Sequence, residues 1–166
     1  MTMMIRQADP ADEEVVVDFN CRLAEETEAT LLDRATVQLG VRAILNEPRH
    51  GRYFVACLDG RVIGQMMHTF EWSDWRNGEI WWLQSVYVHP DFRRQGVFRQ
   101  LIQHLQAEAA TSPNVAGLRL YVEEHNHAAQ TTYEQLGLKP AGYVVMESLK
   151  NSLPGIEPSV IQVASH

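Results

Sequence analysis

Basic residues are scarce in this chain. Fourteen Lys and Arg stand against 21 Asp and Glu, a formal net charge of −7, and no basic run is longer than Arg93-Arg94. DNA binding rests on neutralising phosphates with Lys and Arg, and attachment to an anionic bilayer needs clustered basic residues. Neither nucleic acid nor a membrane is therefore an expected partner. Cysteine is nearly absent: Cys21 and Cys57 are the two, too few for a disulfide framework, and they read as buried thiols in a reducing compartment. No apolar run approaches the ~18 residues of a membrane span. No signal peptide is expected, because residues 1–20 carry Asp9, Asp12, Glu13 and Glu14 where a leader is apolar. The cytoplasm is the expected location. Metal-ligand spacing is also missing. His125-Asn126-His127 follows Glu123-Glu124 but has no matching second pair, so no metal is expected.

What the chain does have is a core. Its 166 residues are 45% hydrophobic, the size and composition of one domain. The patterns predict a strand over 3–8 and a helix capped by Asp9 with Pro10 at its first position, running to about Glu28. A second helix is capped by Asp33, carries Val37, Val41, Ile44 and Leu45 on one face, and ends at Pro48. Strands 53–58 and 61–70 flank Asp59-Gly60, the dipeptide that type I′ hairpin turns prefer. A loop at 71–78 leads to a strand at 79–88. A helix begins near Gly96 and breaks at Ser112-Pro113-Asn114. A strand at 118–122, a helix capped by Asn126 and closed by Gly137, and a strand at 142–149 complete the pattern. The order β-α-α-β-β-β-α-β-α-β describes a mixed α/β (α+β) sheet with antiparallel hairpins and at least one parallel crossover. Residues 1–149 form the expected domain, and 150–166 an arm or disordered tail.

The stretch HPDFRRQGVFRQLIQHL, residues 89–105, gathers positive charge where a helix begins. Helix N-termini leave backbone N–H groups unpaired and carry about half a positive charge. Arg93 and Arg94 add to it, and Gly96 lacks a side chain where a ligand would approach the backbone. This combination fits a pyrophosphate, and it also fits an ordinary solvated basic turn. Tyr133 by itself reads as a core tyrosine.

The run VYVHPDFRRQGVFRQLI resembles the signature of the GNAT superfamily of N-acetyltransferases. In that signature a strand ends, an Arg/Gln-x-x-Gly-x-Gly/Ala loop follows, and a helix starts beneath the pyrophosphate of acetyl-CoA. Arg93 and Gly96 match; Phe98 stands where the pattern has Gly or Ala. Downstream, LYVEEHNHAAQTTYEQLGLKPAGYVVME resembles the family's fifth strand, its helix and its sixth strand, so the resemblance covers roughly residues 3–149. It implies the GNAT fold with strands four and five splayed, and acetyl-CoA as co-substrate. It implies pantetheine along Val86, Tyr87 and Val88, and phosphates over the turn from Arg93 and Arg94 through Gln95, Gly96, Val97 and Phe98 to Arg99. Asn126 would touch the pantetheine, and Tyr133 would assist the departing thiolate.

Many relatives place a glutamate on strand four, and the matching position here is Gln84, which does not titrate. Base duty then passes to water or another carboxylate. Glu71, Asp74, Glu79 and Glu123 are candidates, with Glu71 and Asp74 on the loop foremost. Trp72, Trp75, Trp81 and Trp82 fall within eleven residues. They serve either as core packing or as an acceptor pocket whose aromatic faces hold a cation. The resulting expectation is acetyl transfer to a primary amine, first of a small molecule, with a homodimer as the assembly considered. A peptide or protein amine, or a non-catalytic acyl-CoA sensor, are the alternatives.

Overall fold

The computed structural model describes residues 3–150; the expected tail lies, from residue 151 on, outside the described residues. The elements are β1 (Met3–Gln7), α1 (Glu13–Glu28), α2 (Arg34–Asn46), β2 (Arg52–Leu58), β3 (Arg61–Ser73), β4 (Gly78–Val88), α3 (Val97–Thr111), β5 (Val115–Leu120) and α4 (His127–Gln135). The five strands form one sheet in sequence order. Neighbours run antiparallel except β4 and β5, which are parallel and joined through α3.

Local chemistry accounts for the joints. Asp9 accepts the Ala11 N–H, and Pro10 opens a single 3-10 turn ahead of α1. Arg6 on β1 then donates through both terminal nitrogens to Asp12, at 2.7 and 2.9 Å, which ties the strand to the helix start. Asp59 and Gly60 both have positive φ, 49° and 81°, as a two-residue type I′ turn requires.

Strand alternation sorts the side chains into two layers. Phe54 and Ala56 join Ile63, Met66, Trp81, Leu83 and the α3 residues Leu101, Ile102 and Leu105. Tyr53, Val55, Cys57 and Met67 face Val16, Val17 and Val41 of α1 and α2. Full burial of each large aliphatic side chain stabilises by roughly 1.5–3 kcal/mol. Cys57 is buried, Cys21 is partly exposed, and both are free thiols.

Three expectations need correction. Residues 142–149 carry no strand, so the described sheet has five strands rather than six. Their β-branched residues favour a strand only against a neighbour, and here Val144 and Val145 are 85% and 67% exposed. The loop expected at 71–78 is shorter, because β3 runs on to Ser73 and pairs Glu71 with Ile80. The fifth strand begins at Val115 and ends at Leu120 instead of spanning 118–122. Gly117 interrupts its apolar pattern, yet backbone pairing of Gly117 with Ile80 includes it.

Candidate active site

Strand β4 leaves its neighbour halfway along. Its ladder with β5 runs from Glu79–Val115 to Leu83–Leu120 and stops, while β4 continues to Val88. From Gln84 to Val88 one backbone edge therefore has no strand partner among the described residues. A buried peptide edge demands hydrogen-bond partners, so this opening is suited to an extended ligand that pairs as a strand would. It contains the Val86, Tyr87 and Val88 positions.

A bulge shapes the opening. Gln65 pairs with Tyr87 and Met67 with Gln84, so Ser85 and Val86 together oppose Met66. Ser85 takes φ 50°. A polar chain holds the bulge from behind: Gln65 donates to the Ser85 carbonyl at 3.2 Å and to Asn20 at 2.7 Å, and Asn20 donates to the Tyr53 hydroxyl at 2.9 Å. Gln84 donates to Thr69 at 2.7 Å across the same face.

Beyond β4, the turn reaches α3 through two left-handed residues, Arg94 (φ 61°) and Gly96 (φ 81°). Gly96 is required by that φ; an added Cβ would meet only the Gln100 side chain, at 3.8 Å. The N-terminal N–H groups of α3, from Val97, Phe98 and Arg99, have no intrahelical acceptors. Arg94 has no ion-pair partner among the described residues. Gln95 donates to the Asp91 carbonyl, and Arg99 donates to Gln135 of α4 at 2.7 Å.

Arg93 is differently employed. Its Nε donates to the Val88 carbonyl at 2.9 Å, its Nη2 to Glu26 at the end of α1, and its guanidinium lies 5.3 Å over the Tyr87 ring. The Tyr87 hydroxyl donates to the other Glu26 oxygen at 2.8 Å. Burial works against the Glu26 charge, but the bonds from Tyr87 and Arg93 prevail and hold its carboxyl below the usual range. Glu26 escaped the sequence reading. The available signal was acid at the C-terminal end of a helix, where the macrodipole disfavours negative charge.

Tyr133 projects from α4 into the core beside Phe98, ring centroids 5.3 Å apart, and is 8% exposed. Burial pushes its phenol up to about 12. Its hydroxyl has no hydrogen-bond partner among the described residues. Asn126 accepts the Ala129 N–H at 3.1 Å and so caps α4.

The two candidate acids lie elsewhere on the sheet. Glu71 Oε2 accepts from Trp82 Nε1 at 2.9 Å and from Arg119 at 3.0 Å, and Trp82 packs on Tyr121 at 4.5 Å. Asp74, at the hairpin tip, accepts the Trp75 N–H. Both line an open depression of about 260 Å³ with Trp72, Trp75, Arg119 and Tyr143. Glu71 pairs with Ile80, four residues short of Gln84, or about 13 Å along the strand. Trp81 belongs instead to the α3-side core and donates to Glu79 at 3.0 Å. The tryptophans thus divide between packing and this depression. Glu123, Glu124 and His125 bring ligand atoms within 4.8 Å of one another, all three exposed at the surface.

Comparisons with known proteins agree with this geometry. A structure described as a possible acetyltransferase from Clostridium difficile 630 superposes with TM-score 0.84 at 40% identity, covering 90% of this chain and 98% of that one. A predicted acetyltransferase from Clostridium acetobutylicum, solved with acetyl-CoA, has TM-score 0.73 at 16% identity over 89% and 96% of the two chains, a likeness of fold. The thialysine N-epsilon-acetyltransferase of Bos taurus is 34% identical over 76 residues, 46% of this chain and 44% of that enzyme. The [ribosomal protein bS18]-alanine N-acetyltransferase of Salmonella typhimurium is 42% identical over 59 residues, 36% and 39% of the two. The matches thus span less than half the length of these curated relatives. The model of the acetyltransferase (GNAT) family matches residues 16–138, well over half the chain and the stretch from the first turn of α1 past the end of α4, and the chain belongs to that family.

Proposed function

We propose that this protein transfers the acetyl group of acetyl-CoA to a primary amine of a small molecule, by direct attack in a ternary complex. The opening of β4 from β5, set directly before the left-handed turn and N-terminus of α3, carries the reading. The open edge at Val86, Tyr87 and Val88 suits the pantetheine amides. The α3 N-terminus with Arg94 suits the phosphates, and a bound thioester supplies the activated acetyl group. Backbone N–H groups near the bulge would face the thioester carbonyl and favour charge developing there.

The acceptor nitrogen forms its bond to the acetyl carbon, the carbon–sulfur bond breaks, and the sulfur leaves as a thiolate that takes one proton. The nitrogen, arriving as an ammonium, sheds two. Freeing the amine base at neutral pH costs roughly 4–5 kcal/mol for a lysine-like amine. Gln84 does not take that proton, so a carboxylate or water does. Glu71 and Asp74 remain in this role through their shared depression, reached by way of water.

The small-molecule preference rests on that depression, smaller than the ~300 Å³ at which drug-sized sites begin. It carries acids, arginines and aromatic faces together. The bovine relative's name points the same way, toward a lysine-like acceptor, and the Salmonella relative's toward a protein amine. A homodimer accompanies the reading, supported by the exposed apolar run Tyr143, Val144, Val145 and Met146.

Thiol release from acetyl-CoA, measured over thialysine, lysine, a polyamine and an alanine-terminated peptide, tests the proposal. Turnover of the small amines is the expected result. Thermal stabilisation by acetyl-CoA without thiol release from any amine would make the protein a sensor.

A further inference from the structure

We propose that Glu26 is the carboxylate that receives the acceptor's amino group, and that Arg93 guards it until the cofactor's phosphates draw the arginine away. The inference rests on the acetyltransferase reading, extends it to a residue outside strand four, and leaves Glu71 and Asp74 only the proton that water carries away from the amine.

Three observations converge on Glu26. First, it stands at the opening itself. Tyr87, whose hydroxyl bonds to it at 2.8 Å, is one of the strand residues left without a β5 partner. Glu71, by contrast, pairs four residues before that stretch begins. Second, its partner is the arginine of the cofactor turn. Arg93 reaches Glu26 from the residue that ends the 3-10 turn after β4, next to left-handed Arg94. A pyrophosphate at the α3 N-terminus offers a guanidinium more charge and better paired geometry than one carboxylate does. Third, Glu26 and Arg93 are only partly buried, with side chains 38% and 43% exposed. An exchange of partners there needs no opening of the core.

When Arg93 turns to phosphate, Glu26 keeps the Tyr87 hydroxyl and loses its ion-pair cation, with only the more distant charge of Arg22 left. An ammonium is the natural replacement. It binds through a charge-assisted hydrogen bond beside the strand edge where the thioester lies. Water then carries off the amine's proton, because the Glu26 carboxylate is a far weaker base than the amine. Binding order follows from the same exchange: acetyl-CoA first, amine second. Gln84 is then no deficit, since the acceptor carboxylate comes from α1.

The variant Glu26→Gln in the full chain separates the two halves. By titration calorimetry acetyl-CoA should bind severalfold more tightly, because Arg93 has lost its competitor. Acetyl-pantetheine, which has no pyrophosphate, should bind unchanged. The KM for the best amine of the panel should rise about tenfold or more, the scale of a charge-assisted hydrogen bond. Arg93→Gln is the reciprocal variant: acetyl-CoA weakens while the amine KM does not rise. It also decides the matter if Glu26→Gln proves unstable. Equal acetyl-CoA affinity in wild type and Glu26→Gln, or an unchanged amine KM, overturns the proposal alone. A wild-type chain that fails to bind acetyl-CoA overturns the enzymatic reading with it.

Discussion

Tyr133 illustrates how an environment selects among the roles open to one residue. Its phenol sits at about 12 because burial opposes the phenolate, whereas a thiol has a reference pKa near ~8.5. Full proton transfer from such a phenol to a departing thiolate is uphill by roughly 5 kcal/mol at ~1.4 kcal/mol per unit. A hydrogen bond to the developing sulfur charge carries no such penalty, and the hydroxyl has no competing partner among the described residues. Tyr133→Phe should therefore lower kcat by about 10- to 100-fold, at or below the low end of the ~10²–10⁴ that a general acid contributes. Acetyl-CoA affinity should stay near wild type. Steady-state kinetics beside calorimetry check both numbers.

At the scale of elements, one glycine lets the start of α3 close onto the sheet. A Cβ on Gly64 of β3 would meet Val97 Cγ1 at 3.1 Å, the Tyr87 carbonyl at 3.2 Å and Leu101 at 3.5 Å. The helix start and the end of β4 thus both close against this bare backbone. Gly64→Ala should destabilise the fold by about 1–3 kcal/mol, the usual scale of overpacking, and weaken acetyl-CoA. Gly40 in α2 has nothing within 4 Å of its would-be Cβ, so Gly40→Ala should stabilise by about 0.5–1 kcal/mol through helix propensity. Denaturant melts of the two variants, each with and without acetyl-CoA, make the contrast. The apolar spacing of β3 and α3 was legible in the chain. The closeness of their approach was not, because it depends on residues 33 positions apart.

For the whole molecule, a buried histidine makes stability depend on pH. His68 is fully buried, stacked 4.4 Å from Trp81 and 6.0 Å from Phe54. Neither ring nitrogen has a partner among the described residues. Burial first, then the nearby Arg52 charge, lowers its pKa to about 4. Between that value and the ~6.5 of an unfolded histidine, the unfolded chain binds the proton and the folded chain does not. Stability should consequently fall as pH drops through this window, by about 3 kcal/mol in all, and the histidine's effect should level off below it. Asp12 acts in a lower window. Its hydrogen bond from Arg6 depresses its pKa, so its contribution is present above the ordinary aspartate value near ~3.9 and is lost as pH falls below it. Urea unfolding from pH 7 to 4 should show the slope in wild type and a flatter one in His68→Phe.

Local physics made much of this protein readable from the chain. Caps at Asp33 and Asn126, the Asp59-Gly60 turn and the helical spacing of Leu101 and Leu105 act over a few residues, so their elements stand where the patterns put them, while Asp9 caps a 3-10 turn and α1 itself starts at Glu13. The turn at Arg93–Phe98 was legible for the same reason, since a helix start and a glycine are neighbours in sequence. The last strand failed because β-propensity is satisfied by a neighbouring strand, and 142–149 pairs with none of the described ones. Arg93 lies in the turn where the pattern put it, but its partner Glu26, 67 residues away, was not legible in the chain. Glu71 likewise became the partner of Arg119, 48 residues on. The sequence by itself determined most of the elements and the left-handed turn before α3, because backbone dihedrals and dipoles are local. Tertiary structure alone decided which carboxylate meets which cation, because charges pair across space and the winner depends on how α1, β4 and β5 are brought together.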